Sequence, residues 1–464
     1  MHFTTYMGLA ELIEAYRQRE VSPTEAVQAA LDRIEEINPR INAYYHIDAL
    51  AALKAARSSE QRWKQGEPLG MLDGVPTTTK DALATAGMKG GRGSAAEAEV
   101  TPDRDCPSVA RMRQAGAVIL GKNTMSDYGI LAAGVSSRYG PTRNPWNLGR
   151  TPGASSSGAA ASVACGVEPV SIGTDIVGSI RLPASYCGLA GLKPSQGRVP
   201  FYFPTSPSVV AGPLARSVRD LALHLNVLAQ PDADDFTALP YDGRDYAHDL
   251  GDLDPSKLRI LVITDLGMGQ EVAAEVAAAL RSAADTLNTV GARIEVLDTK
   301  PFEESAFKCA EAFYKVRCLT ELSKRPDEEA RRSHVIWKWT RDAVDGSAID
   351  FYRSHTDVQL LRERAVRLIS GFDFILMPTT PQTAFDAELP APDPGNLFEP
   401  WAYTFLFNLT EQPAASIPYG QDGDGLPIGL QIVGNRFDDL GVLRLGALLE
   451  TTAPVLDQPG GLHT

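Results

Sequence analysis

The sequence predicts an α/β fold in which a central mixed, largely parallel β-sheet is flanked by helices. Three short apolar runs, at residues 117–120, 258–263 and 372–378, have the length and β-branched content of buried strands. After the second run come a helical pattern near 270–288 and another strand pattern at 292–297. A strand–helix–strand order is typical of a parallel pair of strands.

The N-terminal part of the chain is expected to be helical. Ser22 and Glu25 form a capping box with Pro23 at the first helical position, and apolar residues follow at helical spacing. The β-branched run Pro-Thr-Thr-Thr then predicts a strand that ends at Lys80. Residues 107–115 read as a further helix.

Composition excludes several classes of protein. The 464 residues include 44 Lys and Arg against 58 Asp and Glu, so the net charge is 44 − 58 = −14. An acidic surface disfavours binding to nucleic acid or to anionic membranes. The five cysteines form no CxxC pair, and no cluster of histidines is present, so neither a disulfide framework nor a metal site is expected. The chain shows no signal-peptide pattern and no apolar run of membrane-spanning length, and the cytoplasm is its expected location.

Two serines lie in glycine-rich turns, Ser155 within 151–158 and Ser179 within 173–181. A serine attacks a carbonyl only when another group removes its proton. No histidine occurs between positions 46 and 224, so Lys80 is the candidate base. An alternative interpretation is that the small residues of this segment only allow a helix to pack tightly on the sheet. That interpretation explains residues 159–164 well and residues 173–181 less well. Successive N–H groups in a tight turn form an anion-binding nest suited to an oxyanion.

At these positions the sequence resembles the amidase signature family. The resemblance rests on several blocks: Gly74–Asp81, Gly116–Asn123, Thr142–Trp146, all of 150–199, 407–415 and 425–434. The spacings also agree, with 155 − 80 = 75 and 179 − 155 = 24 residues between the three candidate catalytic positions. Residues 200–370 carry little of the resemblance.

The resemblance implies a role for each of these residues. Ser179 is the expected nucleophile, Ser155 the bridging serine that follows a cis peptide bond, and Lys80 a neutral base. Four backbone N–H groups are expected to form the oxyanion hole, those of Ile176, Val177, Gly178 and Ser179. Ser156, Thr174, Asp175 and Arg181 are expected to support this turn. No cofactor and no metal is implied.

The same resemblance implies one amidase domain over residues 1–464. Its parts are an N-terminal helical region (1–70), a catalytic core (71–200 and 371–464) and a variable, mostly helical insertion (200–370) that shapes the substrate entrance. The chain departs from the family at Ala154, Ser157 and Val177, where glycine is usual. Val177 matters most, because a β-branched residue resists a positive φ. If it distorted the oxyanion hole, the protein would be an inactive binding protein.

The expected function is hydrolysis of an aryl or acyl amide through a Ser179 acyl-enzyme. The aromatic stretch that contains Trp401, Tyr403, Phe405 and Phe407 suggests an aryl-bearing substrate, or else simply core packing. Carbamate (urethane), hydrazide and urea-type substrates remain open alternatives. A further alternative is the A subunit of a glutamine-dependent transamidosome, which needs partner chains and a charged tRNA. For a stand-alone enzyme we expect a small-molecule amide or carbamate substrate, no nucleic acid, no membrane, and a monomer or homodimer.

Overall fold

An eleven-stranded sheet runs through the molecule and carries helices on both faces. The computed structural model describes residues 5–201, 208–251, 253–297, 299–457 and 459–462. The strands are β1 (Tyr44–Ile47), β2 (Pro76–Lys80), β3 (Val118–Asn123), β4 (Val170–Asp175), β5 (Ala190–Lys193), β6 (Val210–Ala215), β7 (Arg259–Ile263), β8 (Arg293–Leu297), β9 (Phe374–Pro378), β10 (Ala414–Gln421) and β11 (Pro427–Gly434).

Fourteen α-helices occur in the described ranges. They are α1 (Leu9–Gln18), α2 (Pro23–Ile41), α3 (Ala49–Gln65), α4 (Pro107–Gln114), α5 (Ser157–Ala164), α6 (Arg181–Cys187), α7 (Val218–Leu228), α8 (Ala274–Thr289), α9 (Glu304–Leu322), α10 (Asp327–Ala330), α11 (His334–Trp339), α12 (Ala348–Leu368), α13 (Leu406–Leu409) and α14 (Asp439–Thr452). Among the described segments, no helix combines the length and apolarity that a bilayer crossing requires.

The strand order is β1-β3-β2-β4-β6-β5-β10-β11-β9-β7-β8. The mixed α/β sheet is therefore confirmed, but its pairing is less parallel than expected. Four described pairings are parallel (β2–β3, β2–β4, β7–β8 and β7–β9), and six are antiparallel. β10 and β11 follow one another along the chain and pair directly, which needs no crossover helix. The strand–helix–strand pattern had indicated only the β7-α8-β8 unit.

Local patterns placed most elements correctly. The Ser22 side chain accepts a hydrogen bond from the backbone N–H of Glu25 at the start of α2, as its capping box predicts. β2 ends at Lys80, and the run 117–120 forms β3, with an offset of one residue at its start. The parallel register of β7 and β8 matches the strand–helix–strand prediction.

The stretch 200–370 contributes more to the sheet than its expected role as an insertion suggests. α9 to α12 make its second half helical, but the stretch also supplies β6, β7 and β8. β6 lies in the middle of the sheet, between β4 and β5. The division of the chain at 200 and 370 stays a prediction, and residues 1–4, 202–207, 252, 298, 458, 463 and 464 lie outside the described ranges.

Small residues bring α5 against the sheet that carries Lys80. Every residue of this helix is buried. A Cβ added at Gly158 would lie 2.2 Å from the carbonyl oxygen of Ala43 and 2.7 Å from the backbone nitrogen of Thr124. These neighbours are backbone atoms, so they cannot rotate away as a flexible side chain would. Tight packing therefore accounts for this part of the glycine-rich segment.

We expect Gly158→Ala to lower the free energy of unfolding by about 1–3 kcal/mol, the usual cost of overpacking a close-packed site. Urea denaturation of the wild type and the variant measures the change. Gly251→Ala is the matched control, because no described residue lies within 4 Å of a Cβ built there. Equal stability of the two variants would contradict the packing argument.

Candidate active site

The side chain of Lys80 reaches three oxygens from the end of β2. Its Nζ lies 2.8 Å from Ser155 Oγ, 2.9 Å from Ser156 Oγ and 3.1 Å from the carbonyl oxygen of Thr174. All four residues are buried, and Lys80 itself is fully enclosed. The parallel pairing of β2 with β4 sets this geometry, because both strands end at the same edge of the sheet.

The three contacts of Lys80 decide which oxygen its lone pair can face. A neutral amine has two N–H groups and one lone pair. The Thr174 carbonyl can only accept, and the Ser156 hydroxyl is already placed to donate to that same carbonyl at 3.3 Å. The two N–H groups of a neutral Lys80 therefore point to Thr174 O and Ser156 Oγ. Its lone pair is then left to accept the hydroxyl proton of Ser155.

Burial tunes Lys80 for this task. Loss of hydration lowers the pKa of the Lys80 amine to about 7, although the charges of Asp175 and Asp81 act in the opposite direction. A large fraction of the amine is then neutral near pH 7. A general base works best when its pKa lies close to the working pH.

The two serine-bearing turns lie side by side. The Ala154–Ser155 peptide bond is cis, and the N–H of Ser156 donates to the carbonyl oxygen of Ser179 at 3.2 Å. The hydroxyl of Ser179 is buried, and it has no hydrogen-bond partner among the residues described. The structure thus contains the Lys80–Ser155 half of the expected relay, while Ser179 Oγ is unpaired in it.

The turn at 175–181 is held from within by one carboxylate. Asp175 accepts hydrogen bonds from the N–H groups of Gly178 at 2.7 Å and Ile180 at 3.1 Å. This corrects one expected oxyanion donor, because the Gly178 N–H already binds Asp175 and is not available to substrate. The N–H groups of Ile176, Val177 and Ser179 have no backbone or side-chain acceptor in the described ranges, so these three remain candidates.

Val177 does not force the strain that its branched side chain suggested. The positive φ of this turn falls on Gly178, at 135°, and Val177 is not among the residues with positive φ. Glycine is required at 178 for a second reason, because a Cβ there would lie 2.1 Å from Thr404 Oγ1. The departure from glycine at 177 is therefore compatible with the turn.

A buried ion pair anchors the same turn to the rest of the core. Arg181 NH2 lies 3.0 Å from Asp175 Oδ1, and neither side chain is exposed to solvent. Burial alone would raise the pKa of Asp175, but the charge and hydrogen bonds of Arg181 outweigh it and lower this pKa to about 2. The carboxylate is therefore ionised wherever the protein is folded near neutral pH.

Three further residues hold this pair, and sequence reasoning gave them no role. Arg181 donates to the carbonyl oxygen of Thr404 at 3.0 Å, to Gln431 Oε1 at 2.6 Å and to Asn408 Oδ1 at 2.5 Å. Asn408 also donates to Asp175 Oδ1 at 2.9 Å. Asn408 and Gln431 fall inside the two C-terminal blocks that carry the resemblance. The sequence therefore marked both positions, but it did not show that they bind Arg181.

A cavity of about 240 Å³ opens beside Ser155 and Thr174. Tyr128, Phe201, Arg92 and Arg317 contribute to its lining.

The aromatic side chains that suggested an aryl-bearing substrate are elsewhere: Trp401, Tyr403, Phe405 and Phe407 are fully buried in the hydrophobic core. Of the two interpretations of these aromatics, core packing is the one the structure supports. Within the described segments, no group of three or more His, Cys, Asp or Glu side chains is arranged to bind a metal ion.

Comparison with known proteins places this chain in a family. The family model described as Amidase matches residues 25–443. The A subunit of the glutamyl-tRNA(Gln) amidotransferase of Solidesulfovibrio magneticus is 35% identical over 99% of this chain and 99% of its own length. Its counterpart from Nitratidesulfovibrio vulgaris is 35% identical over 98% of this chain and 99% of its own length. Among solved structures, a bacterial aryl acylamidase of the amidase signature family superposes with a TM-score of 0.90 at 29% identity, covering 99% of both chains.

These relatives correct two expectations. We expected a stand-alone hydrolase of aryl or acyl amides, with carbamates as an alternative, and the curated relatives at 32–35% identity over nearly the whole chain are amidotransferase subunits instead. We also expected a monomer or homodimer that meets only small molecules and no nucleic acid. That expectation is contradicted by the same relatives, which are named as one subunit of a glutamyl-tRNA(Gln) amidotransferase.

We expect amide cleavage by this protein to rise with pH, to be half-maximal near pH 7 and to level off at more alkaline pH, because the pKa of Lys80 is about 7 and only its neutral form accepts a proton. Ammonia release from a carboxamide between pH 5.5 and 9 gives the profile. Lys80→Arg should be inactive throughout, since a guanidinium stays protonated. Lys193→Met is the control, because burial lowers the pKa of that lysine to about 7 as well. If the acidic limb of the pH profile disappeared in Lys193→Met, the titrating group would be Lys193 and not Lys80.

Removing one partner of the buried ion pair should be costly. We expect Arg181→Met to lower the free energy of unfolding by about 3–5 kcal/mol, because Asp175 is then left buried without a counter-charge. Asp175→Asn in the same chain should restore part of the loss. Arg17→Met breaks an exposed pair with Glu14 and should leave stability nearly unchanged, because solvent screens such a pair. A similar loss of unfolding free energy for Arg17→Met and Arg181→Met would show that the buried pair stabilises the fold no more than an exposed pair does.

Proposed function

We propose that this chain, which belongs to the Amidase family, is the amide-cleaving subunit of an amidotransferase and works with partner chains. The donor would be a small carboxamide, and glutamine is the one that the resemblance implies. The nitrogen released at Ser179 would be passed to an acyl group that another part of the complex holds. The observation that carries the chemistry is the enclosed contact between Lys80 Nζ and Ser155 Oγ at 2.8 Å.

The reaction would proceed through an ester on Ser179. Ser155 gives its proton to the neutral Lys80 and takes the proton of Ser179, whose Oγ bonds to the carboxamide carbon. The N–H groups of Ile176, Val177 and Ser179 would stabilise the oxyanion that forms. Ser155 then gives a proton to the nitrogen and regains one from Lys80, the C–N bond breaks, and ammonia leaves. Water hydrolyses the ester to a carboxylate and restores Ser179.

The full-length likeness to amidotransferase subunits supports this assignment over a lone hydrolase. The relatives match from end to end, with 99% of both chains aligned in the first of them. The net charge of −14 does not oppose the assignment, since a partner chain can supply the basic surface that tRNA requires.

The test follows nitrogen from donor to product. The full chain, isolated from its own cells with its partner chains, is given glutamine labelled with ¹⁵N in the side-chain amide, together with acylated tRNA from the same cells. We expect ¹⁵N both in free ammonia and in the amide of the amino acid recovered from tRNA. Added hydroxylamine should intercept the ester and yield the hydroxamate of the donor acid.

Ser179→Ala is the control, and it should abolish both labels because no ester can form. Label in ammonia but never in tRNA would overturn the amidotransferase assignment and leave the amidase chemistry standing. A wild-type complex that releases no ammonia from glutamine would remove the proposed donor as well.

A further inference from the structure

We propose that Arg92 and Arg317 form an anion subsite that binds a carboxylate on the donor amide. Both arginines line the cavity of about 240 Å³ that opens beside Ser155. The inference rests on the proposed function, and it adds the residues that would hold the carboxylate of a short carboxamide donor. A pair of guanidinium groups is well suited to this, since each can donate two parallel hydrogen bonds to a carboxylate.

The position of Arg92 is built into the loop that carries it. The carboxylate of Asp81 accepts from the N–H groups of Gly91 at 3.0 Å and Gly93 at 2.7 Å, on either side of Arg92. Arg92 itself has a φ of 51°, and its carbonyl oxygen accepts from the N–H of Tyr128 at 3.0 Å. A left-handed conformation is costly for an arginine and persists only where its surroundings hold it. Asp81 follows Lys80 directly, so one strand end positions both the base and this arginine.

Arg317 extends from α9 to the backbone of Tyr128. Its NH1 and NH2 lie 3.4 and 3.3 Å from the carbonyl oxygen of Tyr128, which are long contacts for a guanidinium. Its Nε is buried and has no hydrogen-bond partner in the part of the chain that is described. In the same ranges no carboxylate of the protein forms an ion pair with Arg317. A partly buried cation without a counter-charge is costly, and a bound anion would relieve that cost.

The charges around the cavity leave an excess of one cation. Arg92 NH1 lies 3.2 Å from Glu321 Oε2, so this arginine has one acidic partner. Glu321 is shared, because its Oε2 also lies 2.7 Å from Lys324 Nζ. The net charge of the two arginines and the one glutamate is positive, and it faces the space next to Ser155. An uncharged amide would make no use of that charge.

The size of the shared cavity limits the substrate to a short acid. Both guanidinium groups are near Tyr128: Arg92 lies 5.4 Å from its ring centre, and Arg317 contacts its carbonyl. The next residue, Gly129, is so close to the relay that a Cβ added there would be 3.1 Å from Ser155 Oγ. Ser155 and the two arginines thus line one cavity, so the substrate must be short enough to place its amide and its carboxylate within that space. The volume of about 240 Å³ suits a molecule the size of glutamine.

The test compares two amides of the same length, glutaramate and pentanamide, which differ by one carboxylate. Binding is measured by calorimetry on the full chain with its partner chains, in the Ser179→Ala background so that nothing is turned over. We expect glutaramate to bind at least tenfold more tightly than pentanamide. Arg317→Met should remove most of that difference and Arg317→Lys only part of it, while pentanamide binding changes less than threefold.

Lys315→Met is the matched control, because this cation lies on the same helix and pairs with Asp342 at 2.8 Å, away from the cavity. It should leave the preference for glutaramate intact. Equal binding of glutaramate and pentanamide by the wild type would overturn the anion subsite. It would also be overturned if Arg317→Met weakened the binding of both amides equally, because that result indicates a structural role for Arg317. Neither result depends on ¹⁵N transfer, so failure of the subsite and failure of the proposed function are separate outcomes.

Discussion

The ion pair between Asp175 and Arg181 is the constraint on which the rest of the site depends. Two charges are enclosed in the core, and each must be satisfied by hydrogen bonds or cost several kcal/mol. Asp175 meets this need with the backbone of its own turn, and Arg181 meets it with Thr404, Asn408 and Gln431. The turn that presents Ser179 is thereby fixed to segments more than 200 residues later in the chain.

The same carboxylate also limits how far the base can be tuned. Burial disfavours the charged form of Lys80, whereas the negative charge of Asp175 favours it. If burial acted alone, the pKa of the amine would fall further and the base would be too weak to draw a proton from a serine. If the acid were closer, the amine would stay protonated. The two effects balance near neutrality, where a base is most useful.

Sequence reasoning singled out Lys80 and Ser155, which lie in contact in the structure, because each belongs to a contiguous block. Lys80 at a strand end, and Ser155 and Ser179 in glycine-rich turns, could be read from local pattern and resemblance. What could not be read was pairing over long distances: that the Gly178 N–H is taken by Asp175, or that Asn408 closes the ion pair. Local pattern likewise indicated strands but not their directions, so the sheet came out less parallel than expected.

The expectation about function was wrong for a related reason. Net charge and aromatic content are sums over the whole chain, and neither says where a group lies. The aromatics near 401–407 are sealed in the core, and an acidic subunit can work on tRNA through a basic partner. Arg92 and Arg317, which line the cavity, are two cations among 44, and they stand out only once the fold brings both of them to Tyr128. The turn at 128–129 also sets Gly129 against Ser155, so the proposed anion subsite and the proposed proton relay share one piece of backbone. A change to that backbone would therefore alter both together, whereas a change to the Arg317 side chain would alter recognition alone.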